Sequence, residues 1–376
     1  MFPSVQINAL NQLSGETKEI ERHALFVGVG TVNPGKLLAL TPDSDFDKVF
    51  GETDTDLKKQ VRAAMLNAGQ NWFAHVYIAQ EDVYDFVECV KKANQTASFE
   101  YCVNTRYLGV DKASIGKLQE CYAELLAKFG RRTFFIQAVQ GINHDQSDGE
   151  TWDQYVQKLT TLQQTIVADH VCLVPLLFGN EAGVLAGRLA NRAVTVADSP
   201  ARVQTGALVS LGSAEKPLDK DGNELTLAHL KSLEAARYSV PIWYPDYDGY
   251  YWADGRTLDV EGGDYQVIEN VRVVDKAARK VRLLAIAKIA DRSFNSTTSS
   301  TAYHQGYFAK TMRDMSKSAT INGKDLPGEC MPPKDDAITI VWQSKNKVTI
   351  YIKVRPYDCP KDITANIFLD LETLGD

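Results

Sequence analysis

The chain has 376 residues, 44% hydrophobic and 24% charged, with a formal net charge of -7. That length exceeds one compact core of average size and predicts more than one domain, and the composition is that of an ordered globular protein. An acidic balance without a basic block sets the chain apart from nucleic-acid binders, and no apolar run approaches the ~18–20 residues that span a bilayer.

Residues 1–20 are polar, with one alternation at Val5-Gln6-Ile7-Asn8-Ala9. They hold neither a basic region followed by an apolar stretch nor a small-residue cleavage site, so no signal peptide is expected. From His23 the text changes, and ALFVGVG reads as a buried strand running into glycines. Between Asn71 and Ala197 strand and helix patterns alternate. FAHVYIA precedes EDVYDFVECVKKAN, FEYCVNT precedes SIGKLQECYAELLAKFG, RRTFFIQAV precedes WDQYVQKLTTLQQTIV, and VCLVPLLF precedes AGVLAGRLANRAVTVA. Repeats of this length predict a largely parallel sheet with helices on its faces.

From about Gly206 the pattern shifts. LAHLKSLEAARYSV predicts a helix, VPIWYPDYDGYYWADGRTL is aromatic and proline-bearing, and VDKAARKVRLLAIAKIADR predicts a basic helix. SFNSTTSSTAYHQG reads as a polar linker or loop. The end is strand-rich. In VTIYIKVR, Val348, Ile350, Ile352 and Val354 alternate with polar or larger residues. In DITANIFLDLE, Ile363, Ala365, Ile367, Leu369 and Leu371 do the same. Both are period-two patterns of half-buried strands, and a terminal strand so patterned predicts a partner edge.

Chemistry-bearing patterns are few. Gly30-Thr-Val-Asn-Pro-Gly35-Lys36 fits the phosphate-binding pattern GxxxxGK[ST] except that Leu37 replaces the hydroxyl residue. The segment after it lacks a helical period, so a glycine-bounded loop is the preferred reading over a nucleotide site. Asp246-Tyr-Asp248 has the D-x-D form that can hold a divalent cation, although Pro245 and Gly249 around it favour a turn. In Asp219-Lys-Asp221-Gly222-Asn-Glu224 the glycine falls two positions early for a calcium loop. The six histidines stand singly, and the six cysteines (Cys89, Cys102, Cys121, Cys172, Cys330, Cys359) form no CxxC. Four of the cysteines lie in apolar periodic segments, which predicts free thiols and a reduced, cytosolic place of synthesis. The enzyme alternative is a nucleotide- or metal-dependent transferase using Gly30–Lys36 or Asp246/Asp248.

Three segments in order resemble the tail sheath proteins of contractile bacteriophages and related contractile injection particles. The first, from His23 to Ala79, has a strand ending in glycine, then Asp45-Phe46…Phe50-Gly51, a helix and a strand. The second runs from Ile242 to Val281, where a glycine-aromatic strand leads to Gly255-Arg256-Thr257 and then to Val271-Arg272 opening a helix. The third is the closing pair of strands. The sequence departs from the family pattern at Ala253-Asp254, where many relatives carry one small residue before the glycine.

The resemblance implies an α+β multidomain chain: an N-terminal arm (1–20), an outer α/β region (21–205) with a mixed or parallel sheet, an inner strand-rich domain (206–360), and a C-terminal arm strand (361–376). It implies a structural subunit rather than an enzyme, without a cofactor, assembled in the host bacterial cytoplasm into the virion tail. Partners would be further copies in six-fold helical rings, a tail tube protein, and baseplate and tail terminator proteins, with no nucleic acid and no membrane insertion. The arms Val5, Ile7, Ala9 and Ile363, Ala365, Ile367, Leu369, Leu371 would add strands to a neighbour, with Val348, Ile350, Ile352 and Val354 as the accepting strand. Lys276, Arg279, Lys280 and Arg282 would face an acidic tube.

Overall fold

The structure, a computed structural model, describes residues 20–367. Its first part runs β1 (Ala24–Val29), β2 (Leu37–Leu40), α1 (Phe46–Phe50), α2 (Asp56–Ala68), β3 (Ala74–Ala79), α3 (Phe86–Thr96), β4 (Tyr101–Asn104), α4 (Lys112–Phe129), β5 (Phe134–Val139), α5 (Trp152–Gln163), β6 (Val171–Pro175) and α6 (Glu181–Ala190). The strands form one sheet in the order β2-β3-β1-β4-β5-β6. Neighbours are parallel except β2, which runs antiparallel to β3. The near-continuous apolar runs of β1, β4, β5 and β6 follow from this, since helices cover both faces. Helix starts are set by side chains: Asp111 with Ser114, and Thr151 with Gln154, form reciprocal caps.

α2 and α6 cross at backbone contact. A Cβ at Gly183 would lie 2.0 Å from the Gln60 carbonyl oxygen, and one at Gly187 would lie 2.2 Å from that of Ala64. Only glycine permits this approach.

The chain continues through α7 (Leu227–Ala235), β7 (Pro241–Tyr244), β8 (Tyr247–Trp252), α8 (Ile268–Ile286), α9 (Thr298–Met315), β9 (Ala319–Ile321), β10 (Lys324–Leu326), β11 (Ile338–Ser344) and β12 (Lys347–Ile352). Packing divides it into two cores. Leu208, Leu225, Leu233, Trp252, Leu258, Ile268 and Val271 belong with the large sheet. Val273, Ala277, Val281, Phe308, Met312, Ile338 and Ile340 form a second, smaller core. The seam between the two cores falls inside α8, between Val271 and Val273, and apolar residues after Gly206 reach back to the sheet.

α9 occupies what reads in sequence as a linker. Thr297 caps its first turn by accepting from the Ser300 N–H, and His304, Phe308, Thr311, Met312 and Met315 are buried at helical spacing. The Ser/Thr run is a capped helix start whose apolar face appears one turn later.

Candidate assembly site

The C-terminal module is built around a two-stranded sheet of β11 and β12, antiparallel with Ile338 opposite Ile352 and Ile340 opposite Ile350. Val348, Ile350, Ile352 and Val354 pack against the second core, which explains their alternation. Lys353 N–H donates to the Ala337 carbonyl at 2.8 Å. The alternation of an antiparallel ladder then turns Tyr351 and Thr349 toward β11, and the N–H and C=O groups of Val348, Ile350 and Ile352 toward the outer edge. Among the described residues no other strand pairs with that edge. The opposite edge differs, because Gln305 of α9 donates its side-chain amide to the Ile338 carbonyl at 3.1 Å. What β12 offers a partner is backbone, since its apolar side chains are already committed.

Ile363, Ala365 and Ile367 lie in no strand, and Ile363 and Ile367 are 78% and 94% exposed. Among the described residues, Ile363–Ile367 of the expected terminal strand thus pairs with no strand. Leu369, Leu371, and the N-terminal positions Val5, Ile7 and Ala9 lie outside the described residues.

The four cations of α8 separate into two pairs. Lys276 is buried and ion-paired to Glu329 at 2.8 Å. Arg279 Nη2 donates to Glu21 at 2.8 Å and its Nη1 to the Arg132 carbonyl at 3.2 Å. Lys280 and Arg282 are exposed. Helical spacing turns positions 276 and 279 into the body, so only the second pair faces outward.

The motifs behind the enzyme alternative lie in or beside strand connections. Gly30–Lys36 is the connection from β1 to β2, and Lys36 leads into an antiparallel strand instead of a helix. Without a helix N-terminus the backbone donors of a phosphate loop are missing, and Lys36 Nζ instead donates to Asn33 at 3.1 Å. Asp246 (φ +60°) forms the tip of the β7–β8 hairpin and Asp248 follows in β8, both exposed. The Asp219 carboxylate accepts from the N–H groups of Asp221 (3.0 Å) and Asn223 (2.8 Å) in its own loop and from that of Trp152 (3.4 Å). Among the described residues no cluster of three or more His, Cys, Asp or Glu could hold a metal. Glu181, which burial pushes up to about 7, accepts from the N–H groups of Phe178 and Gly179.

A feature invisible to sequence reading lies along the seam. Arg272 and Glu100 are both fully buried, with Arg272 Nε on Oε1 at 2.7 Å and Nη2 on Oε2 at 3.0 Å. Arg272 Nη2 also reaches the Leu189 carbonyl at 3.0 Å, and Glu100 accepts from the Arg22 N–H. Burial opposes ionisation of Glu100, but Arg272 outweighs it and holds the carboxyl below its usual range. One turn on, Asp275 accepts from Arg132 at 3.2 Å and approaches His170 Nε2 at 3.4 Å, while His170 Nδ1 meets Asp169 at 2.8 Å. His170 stacks on Tyr122, ring centroids 3.6 Å apart. The Val271-Arg272 pair was the only sequence signal for this network, and it did not name Glu100.

The DUF2586 N-terminal domain model matches residues 2–256, and the DUF2586 C-terminal domain model matches residues 264–372. The chain is 94% identical, over the full length of both, to a Haemophilus phage HP1 (strain HP1c1) protein named "Putative tail sheath protein". The sheath of an extracellular contractile injection system, PVC, solved in its contracted state, superposes with TM-score 0.63 at 14% identity, over 99% of this chain and 98% of that one. A sheath tail protein from Desulfitobacterium hafniense superposes with TM-score 0.53 at 10% identity, over 94% and 96%.

Proposed function

We propose that this chain, which belongs to the DUF2586 family and carries the sheath fold, is a structural subunit of a contractile tail sheath in the virion tail and polymerises as six-fold helical rings linked by exchanged terminal strands. The observation that supports this reading is a complementary pair of vacancies. Among the described residues β12 keeps an unpaired backbone edge, and Ile363–Ile367 carries exposed apolar residues at strand spacing and pairs with no strand. Ile363, Ala365, Ile367, Leu369 and Leu371 of one subunit, with Val5, Ile7 and Ala9 of another, would extend the β11–β12 sheet of a third. Each backbone hydrogen bond gained contributes ~0.5–1.5 kcal/mol, which with the apolar side chains offsets the ordering of an extended segment.

In this reading the second core, with the C-terminal hairpin, forms the inner layer, and the large sheet the outer one. Lys280 and Arg282 would meet an acidic tail tube protein, while baseplate and terminator proteins would close the two ends of an open helical stack. Contraction would rotate near-rigid subunits between two packings while the strand mesh holds them together, with no nucleotide or cofactor consumed. The experiment is negative-stain microscopy of the full chain and of a chain ending at Lys361. Hollow tubes from the first and none from the second are expected. Tubes from both would remove the C-terminal strand from the assembly, and dispersed monomer from both at high concentration would overturn the polymer.

A further inference from the structure

Between Arg355, whose carbonyl accepts from Met331 N–H at 2.8 Å, and Ile367, the described polar contacts belong to one side chain. Lys361 Nζ sits 2.6 Å from Asp254 Oδ1 and 2.7 Å from Glu269 Oε1. Both carboxylates are buried, Asp254 at 6% and Glu269 at 7% exposure, and Asp254 Oδ1 also accepts the Gly255 N–H at 2.7 Å. Asp254 follows Ala253 just after β8, and Glu269 lies in the first turn of α8. Two carboxylates converging on one point attract a cation strongly, and their mutual repulsion makes its removal costly.

We infer that Lys361, clamped between Asp254 and Glu269, is the anchor that fixes where and in which direction the C-terminal arm leaves the body. This rests on the strand-exchange reading above and adds a positioning residue to it. Without the clamp the tether would start after Arg355, six residues earlier in the chain. Effective concentration at a neighbour's edge falls roughly as the −3/2 power of tether length, and a loosened arm also loses its preset direction.

Cys359 is exposed while Cys89, Cys102, Cys121, Cys172 and Cys330 are buried, so a thiol-reactive dye reports on the clamp two residues away. The test uses the full chain, with dye anisotropy read below the concentration at which tubes form, and with the threshold for tube formation. Lys361→Ala should lower the anisotropy and raise the threshold at least twofold. The charge-free triple Asp254→Asn, Glu269→Gln, Lys361→Met should do the same with an unchanged melting midpoint, which separates anchoring from stability. Unchanged anisotropy in Lys361→Ala overturns the anchor. So does a wild-type threshold in that variant when a chain ending at Lys361 forms no tubes. Tubes from the chain ending at Lys361 would instead overturn the strand-exchange reading itself.

Discussion

The Arg272–Glu100 pair fastens α8 to the sheet, and its removal should be felt in the whole fold. Both side chains are nearly free of solvent contact, at 2% and 1% exposure. Replacing Arg272 by Met leaves Glu100 charged, buried and held by the Arg22 N–H; replacing Glu100 by Met leaves the guanidinium with the Leu189 carbonyl. Breaking a buried pair from one side costs about 3–5 kcal/mol, because the surviving charge loses its compensation. The double Met variant strands only those two backbone groups, about 1–3 kcal/mol each by the desolvation argument and partly relieved by better apolar packing. It should therefore be more stable than the sum of the singles by at least ~2 kcal/mol, a coupling that urea unfolding of dilute chain can resolve. Because the Glu100 carboxyl is held below its unfolded value, the stabilisation is present above about pH 4.3 and is lost as pH falls through the folded value. A single Met variant within 1 kcal/mol of wild type, or strictly additive singles, would refute the reasoning.

His170 carries the opposite sign. Burial disfavours its protonation, but Asp169 and Asp275 outweigh it and raise its pKa, with Tyr122, Tyr265 and Arg132 as the other groups around it. Its contribution is complete below about pH 6.5 and is lost as pH rises through the raised folded value, so the melting midpoint should fall on that limb, and His170→Gln should flatten it. His23 and His75, with ring nitrogens 2.7 Å apart, are lowered chiefly by burial to about 3 and about 4. Stability should therefore also decline as pH falls from about 6.5, and His75→Phe should reduce that slope in the same melting series. Gly183→Ala drives a methyl into the Gln60 carbonyl and should cost about 1–3 kcal/mol by chemical denaturation, whereas alanine at the open Gly116 of α4 should stabilise slightly. Charge reversal at Lys280 and Arg282 should weaken co-sedimentation with purified tail tube protein in a salt-dependent way while melting stays unchanged. Reversal at Lys276 should lower the melting midpoint, because Glu329 loses its partner.

Periodicity alone determined much of this molecule. The strand–helix repeats from 71 to 197 and the alternation of VTIYIKVR were legible because burial on one or both faces writes itself into spacing. α9 was not, since its start is built of Ser and Thr, residues that serve a loop as readily as a cap. The seam in α8 was hidden for a different reason: Val271 and Val273 look alike in sequence, and only packing assigns them to different cores. The basic helix showed four cations, but which of them stay exposed depended on where Glu21 and Glu329 come to rest. Local pattern decides which segments become strands and helices. Pairings across long sequence separation decide the rest, because neither partner's own spacing encodes the other: Glu100 with Arg272, and Lys361 with Asp254 and Glu269.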